Sequence, residues 1–392
     1  MKTTQSTPKV RPDGERLLWW RLKPVEARRL AALRANRRGM WSLRIFAVLF
    51  LVSVFSEFIA NERPILVWYD GGLYVPALKA YPETAFGGEF PTEADYTDPF
   101  VQARIRSKGW MVGALIPYSH DTPVLGLAEP SPTPPSALNW LGTDNQARDV
   151  LARVLYGFRT SVLFGLILTV LSTVIGVVAG ALQGYFGGRV DLYFQRFIEI
   201  WDSVPTLFLL IIISGIVEPN FWWLLFILLL FTWMSLVGLV RAEYFRARNF
   251  DYVRAARSLG ASNWSIMFKH ILPNAMVATI TFVPFMLAGA ILSLTSLDFL
   301  GFGLPPGSAS LGELLQQGKA NLNAPWLGLT AIVAIAAILV LVVFIGEAVR
   351  DAFDPRKAVL PEIAVEPPPA LAAIPAAVAL GLDGAAPPKV SP

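Results

Sequence analysis

Residues 160–188 read TSVLFGLILTVLSTVIGVVAGALQGYFGG, with no charged side chain between Arg159 and Arg189. At a rise of 1.5 Å per residue, about 20 apolar helical residues cross a hydrocarbon layer about 30 Å thick, so this stretch is long enough to span a bilayer. Three further charge-free intervals separate Glu218 from Arg241, Lys269 from Asp298 and Lys319 from Glu347. The 392 residues are 54% hydrophobic and 16% charged, whereas a soluble domain is about a quarter charged. A soluble protein, a disordered chain and a coiled coil are excluded. The sequence is that of a polytopic membrane protein.

Working outward from that stretch, six spans are predicted at 41–60, 160–183, 197–217, 221–241, 274–297 and 326–348, which makes the chain an all-α integral membrane protein. Lys and Arg concentrate in residues 1–40, in the loop 242–273 and after the last span. By the positive-inside rule these segments, and both termini, face the cytoplasm. Residues 61–158 are polar and rich in Pro, Gly, Asp and Tyr. A loop this long translocates largely regardless of its charge, and its aromatic and Gly-Gly content predicts an ordered cap outside. Near its end Asp144 is a candidate N-cap for a helix whose Val150, Leu151, Val154 and Leu155 share one face, predicted to lie on the outer membrane surface. The tail 359–392, rich in Ala and Pro, is predicted to be disordered.

Several chemistries are excluded or left without support. Cysteine is absent, so there is neither a disulfide nor a thiolate metal site. His120 and His270 are the only histidines and form no zinc-binding His-Glu-x-x-His pair. Gly318-Lys319 lacks the rest of a phosphate-cradling loop, and no nucleophile elbow occurs. No cofactor, metal or catalytic residue is therefore assigned, and movement of a substrate is expected in place of bond breaking. The basic residues flank apolar spans and form no separate domain, which argues against nucleic acid. Glu199 and Asp202 fall in the first turns of the third span, either as lining of a polar pathway or as a solvated helix start before a kink at Pro205.

The loop 242–273 carries the most information. Arg254 to Leu259 suits a short helix with small outer side chains, and Gly260 suits its C-terminal cap. Ser262 can cap a second helix carrying Trp264 and Phe268, with Pro273 at the entry to the fifth span. Such an elbow fits a groove in another protein, but an ordinary basic loop would read the same way.

The spacing Ala255-Ala256-x3-Gly260, with Leu272-Pro273 following, resembles the EAA loop of binding-protein-dependent ABC importer permeases. Arg254 stands where that family has Glu, and His270 where it usually has Ile. Trp140 to Asp144, Arg148 to Leu151, Leu155 to Gly157 and Leu300 to Pro306 resemble segments of dipeptide and oligopeptide permeases. Tyr69-Asp70-Gly71, Phe86-Gly87-Gly88 and Ala94-Asp95-Tyr96 resemble the Yej-type branch. The resemblance implies a type I importer permease with its core at 159–350. It also implies a coupling helix in which Arg254, Ala255, Ala256, Gly260, Leu272 and Pro273 meet a cytoplasmic ABC ATPase. Implied partners are that ATPase, which holds ATP and magnesium, a sister permease subunit and a periplasmic peptide-binding protein. The implied cargo is oligopeptide, including microcin C-like peptides, and the implied setting is the bacterial inner membrane. An ion-coupled secondary transporter and a membrane scaffold are the alternatives.

Overall fold

A computed structural model describes residues 16–17, 20–21, 24–127 and 129–354. The compact body extends to Ala352. The tail at 359–392 and most of the first 23 residues, on which two of the expectations bear, lie outside the described residues. Antiparallel β1 (Arg16–Leu17) and β2 (Trp20–Arg21) precede α1 (Pro24–Ala35), α2 (Arg37–Val54) and one further turn, α3 (Ser56–Ile59). Asn36 caps α2 by accepting from the Gly39 N–H.

The segment after α3 corrects the expectation of an all-α chain. β3 (Leu66–Tyr69), β4 (Gly72–Tyr74) and β5 (Gly109–Val112) form an antiparallel sheet in the order β4-β3-β5, crossed by α4 (Pro99–Lys108). Asp70 and Gly71 both adopt positive φ, at 48° and 82°. A two-residue turn of that kind matches the twist of paired strands. Asp98 caps α4 just before Pro99. Val101 and Ile105 of α4 pack with Val67, Tyr69, Phe86 and Tyr96 into a core of the cap's own.

The bundle follows. α5 (Val150–Phe186) is one helix of 37 residues, so the helix expected on the outer surface is instead its first turns. Asp149, not Asp144, is the cap, accepting from the Ala152 N–H. α6 (Gly188–Asp202) and α7 (Thr206–Ser214) replace the expected third span with two limbs bent by 58°, because Pro205 cannot donate to the ladder. Glu199 and Asp202 consequently lie in the last turn of α6, not at the start of a span. α8 (Phe221–Thr232), capped by Asn220, continues into α9 (Met234–Ala247). α10 (Asp251–Ser258) and α11 (Asn263–Ser265) form the elbow. A π-turn at Ile266–Ile271 leads into α12 (Leu272–Leu300), and α13 (Leu311–Ala320) and α14 (Pro325–Phe353) complete the chain.

The helix runs unbroken from Asn263 to Leu300, so Pro273 sits inside it. The wider turn immediately before Pro273 accommodates the missing donor. Among the described residues, four helices are long and apolar enough to cross a bilayer, Val150–Phe186, Phe221–Ala247, Asn263–Leu300 and Pro325–Phe353, and the bent α6–α7 pair makes up to five. α2 falls short of that measure, since Arg37, Arg38 and Arg44 share its 18 residues.

α5 and α9 meet along a close seam. A Cβ added at Gly176, Gly180 or Gly184 would come within 2.7, 2.8 and 2.5 Å of the carbonyl oxygens of Trp233, Val237 and Arg241. Glycine every fourth residue lets two backbones approach where lipid supplies no hydrophobic drive to associate. Increasing numbers on α5 meet increasing numbers on α9, so the two run parallel. Beside them, Val177, Ala181, Leu236, Val240, Ile271, Ala275 and Met286 form one buried cluster that includes residues of α12.

Candidate functional site: the elbow and its anchorage

α10 is amphipathic over two turns. Val253 and Ala256 point inward and are buried, while Arg254, Ala255 and Leu259 point away. The helix stops at Gly260, which has φ +82°. The Ala261 N–H reaches back to the Ala256 carbonyl and the Gly260 N–H to the Arg257 carbonyl, at 3.1 and 3.0 Å. This paired closure satisfies carbonyls that a helix end would otherwise leave open, and it requires a left-handed residue where glycine is unstrained. Ser262 then caps the second limb by accepting from the Ser265 N–H, and the Trp264 and Phe268 rings stack at 5.7 Å.

The elbow is fastened to the bundle from beneath. Val253, Ala256, Ile266 and Met267 are buried with Tyr185 of α5 and Tyr244 and Ala247 of α9. The Tyr185 hydroxyl donates to Asn263 Oδ1 at 2.7 Å, and the buried Tyr244 hydroxyl donates to the Met267 carbonyl at 3.1 Å. Arg257 donates to the Tyr185 hydroxyl, and Arg248 reaches the carbonyls of Gly184 and Tyr185. A force on α10 therefore bears directly on the α5–α9 seam.

The outward side carries Leu259, 87% exposed, with Phe250, Tyr252 and Trp264 also exposed. Arg254 extends into solvent, 3.8 Å from Asp251. The motif residues thus divide between two sides. Arg254, Ala255 and Gly260 are presented outward, Ala256 is an anchor, Leu272 packs against the core cluster, and Pro273 is exposed on the second limb. Sequence reasoning did not find Tyr185, Tyr244 or Val253. The glycine spacing 176-180-184 would have pointed to α5 as the elbow's seat.

Glu199 and Asp202 are both exposed, and Glu199 pairs with Arg196 on the same helix. The structure does not bring them to the elbow.

A second polar assembly lies at the opposite end of α5. Arg153, fully buried, pairs with Glu313 of α13 at 2.8 Å and with Asp144 at 3.3 Å. Arg148 joins the same two carboxylates at 2.6 and 3.0 Å. Two guanidinium groups and two carboxylates balance, which is the condition under which buried charge is tolerated. Arg153 also donates to the Ser308 carbonyl. Nearby, buried Asp298 accepts from the Leu304 N–H and the Ser310 hydroxyl, holding the turn 301–306. His120 stacks on Tyr156 beside this cluster. Burial, reinforced by Arg153, Arg159 and Arg148, holds its imidazole below the ordinary pKa despite Asp121.

The sequence profile described as "Binding-protein-dependent transport system inner membrane component" matches residues 172–359. The chain is 61% identical over 339 residues to the inner membrane ABC transporter permease protein YejE of Escherichia coli, covering 86% of this chain and 99% of that one. It is 55% identical to the peptidoglycan transport system permease protein YejE of Agrobacterium fabrum, covering 85% and 94%. The oligopeptide transport system permease protein OppC of Lactococcus lactis is 36% identical over 56% of this chain and 76% of its own length. Among solved structures, the inward-facing MetNI methionine ABC transporter matches 52% of this chain and 96% of its own, with 17% identity and a TM-score of 0.42. The chain belongs to the YejE-type permeases, inner membrane components of binding-protein-dependent ABC transport systems.

Proposed function

We propose that the chain is the membrane-spanning subunit of an ATP-driven type I importer that moves oligopeptides from periplasm to cytoplasm. The observation that carries this reading is the elbow, with apolar side chains facing outward and its underside fixed to the α5–α9 seam. In the proposed mechanism, ATP and magnesium are held by a cytoplasmic ABC ATPase in whose groove the elbow seats. Closure of the ATPases shifts the elbow, and the spans move with it as a rigid body. A sister permease completes the pathway, and a periplasmic peptide-binding protein delivers cargo. The chain itself contributes no catalytic group. The oligopeptide class is taken from the name of the OppC relative, and microcin C-like peptides from the Yej-type resemblance.

Six spans in the bacterial inner membrane, with both termini cytoplasmic, complete the reading. Its support for α2 is positional. Gly39 lies against Ala348 near the end of α14, while Glu57 just beyond α2 pairs with Arg159 near the start of α5. α2 and its last turn thus run alongside the bundle between its two ends. Glu199 and Asp202 would line the pathway from α6.

Because the chain has no cysteine, Leu259→Cys gives a single crosslinking site. In proteoliposomes of the whole transporter, it is expected to crosslink to the ATPase and to arrest ATP-driven peptide uptake. A Leu259→Cys thiol that stays against lipid or open solvent throughout turnover would overturn the proposal, as would uptake that follows an ion gradient without the ATPase.

A further inference from the structure

The sheet of the cap has two unlike faces. Val67 and Tyr69 are buried on one, in the core they share with α4. On the other, Trp68 lies directly across from Leu73 on one neighbouring strand and Trp110 on the other, and Leu66 lies across from Val112. Trp68, Leu73, Trp110 and Val112 are between 39% and 56% exposed. A sheet with one face on a core normally turns polar residues to water on the other. Here the second face is apolar as well, and charge appears only at its edge, where Lys108 pairs with Asp70.

The placement of this face is constrained by backbone. The Ile116 N–H bonds the Ile59 carbonyl, the Asn61 N–H bonds the Ile116 carbonyl, and Tyr156 of α5 donates to the Ala60 carbonyl. Ile116 is four residues on from Val112. At about 3.4 Å per extended residue, the near edge of the sheet lies within about 14 Å of Ile116 and, adding the spacing of about 4.8 Å between paired backbones, within about 19 Å of Ala60, where α3 ends. Apolar exposure continues across that gap, from Val54 and Phe55 at the end of α2 through Leu115 to Val112.

We propose that this face lies on the outer leaflet of the membrane, with lipid headgroups and upper acyl chains as its occupant. A soluble partner would meet a surface of mixed polarity, since protein interfaces are only about 56–65% apolar. Inside its charged edge pair, this face offers two indole N–H groups and otherwise hydrocarbon, the chemistry of the aromatic belt at a membrane–water boundary. The inference rests on the proposed topology, with α2 as a span and the cap outside. It assigns the lipid surface as a support for the cap, fixing the cap's tilt over the bundle.

Single-cysteine variants Trp110→Cys and Leu73→Cys, spin-labelled in the whole transporter, test this in nanodiscs of phosphatidylethanolamine and phosphatidylglycerol. Arg106→Cys on α4 serves as the water-facing control. Labels at 110 and 73 are expected to collide severalfold more with oxygen than with a water-soluble nickel chelate, and the label at 106 the reverse. Nickel-dominated collisions at both face positions overturn the proposal. So does shielding from both agents, which would mean a protein occupant, or shielding that appears only when the binding protein is added. The topology fails separately, if an impermeant maleimide reaches Arg106→Cys in inverted vesicles and not in spheroplasts.

Discussion

Gly180→Ala combined with Gly184→Ala tests whether the α5–α9 seam is set by backbone proximity. The new methyl at 184 would sit 2.5 Å from the Arg241 carbonyl oxygen and from Tyr244 Cβ. Ordinary contact begins at 3.4 Å, so the helices must part there by about 0.9 Å, and at 180 by about 0.6 Å. Backbone cannot rotate aside as a side chain can. Overpacking of this kind costs about 1–3 kcal/mol per site, whereas alanine's helix propensity returns about 0.8–1.0 kcal/mol. The net effect for the pair is a loss of up to about 4 kcal/mol. Gly238→Ala and Gly289→Ala supply the contrast, because an added Cβ meets nothing within 4 Å at either position. They are expected to stabilise by about 0.8–1.0 kcal/mol each. Denaturant titration of purified protein in mixed micelles reads all four substitutions. The seam also bears the elbow, so the double variant is expected to keep ATPase activity in the assembled transporter while losing peptide uptake. Unchanged stability and uptake in the double variant would refute the reasoning.

Three other outcomes are expected. Arg153→Met leaves Glu313 and Asp144 with one guanidinium between them, and breaking a buried pair costs about 3–5 kcal/mol; Arg153→Met with Glu313→Leu should recover most of it in the same titration. Gly260→Val should abolish uptake with membrane insertion intact, while Gly260→Asn is tolerated. An added Cβ meets nothing there, so only the left-handed backbone, at about 1–2 kcal/mol for an ordinary residue, separates the two. His120 has a depressed pKa in the fold. The unfolded chain therefore binds its proton more readily, and stability is full above about pH 6.5 and declines as pH falls below it. Thermal melting across that range should show the decline in the parent and less of it in His120→Gln.

The sequence revealed what depends on long averages and missed what depends on single donors. Uncharged intervals locate α5, α8–α9, α12 and α14 because hydrocarbon thickness imposes a length that no local detail can evade. The elbow was legible as well, since Gly260 and Ser262 stop and restart a helix by local chemistry. Asp144 misled because Asp149, five residues on, is an equally good cap, and the choice was made by tertiary contacts. With Arg148, Arg153 and Glu313 available, Asp144 was drawn into the ion cluster and Asp149 was left to the helix. The sheet was missed although Asp70-Gly71 between apolar-aromatic runs is a strong hairpin signal. A composition reading averages such a signal away.

The two ends of α5 are held by opposite means. Near the elbow, three glycines bring α9 into backbone contact, and no charge pairs across those three positions. At the other end, Arg153 and Arg148 cross to Asp144 and Glu313 through charge, with Gln317 hydrogen-bonded to Glu313. Close packing fixes distance and tolerates no insertion. An ion cluster fixes partners, and loss of any one partner leaves a buried charge uncompensated. By contrast α6 buries no residue and α7 only Leu210. A displacement entering at α10 thus meets a stiff assembly of α5, α9 and the start of α12. The bent α6–α7 pair, carrying Glu199 and Asp202 beside its break, is held mainly by the Asp191–Arg241 ion pair and by Trp201 against Leu230 and Phe231, with little buried surface to resist rearrangement.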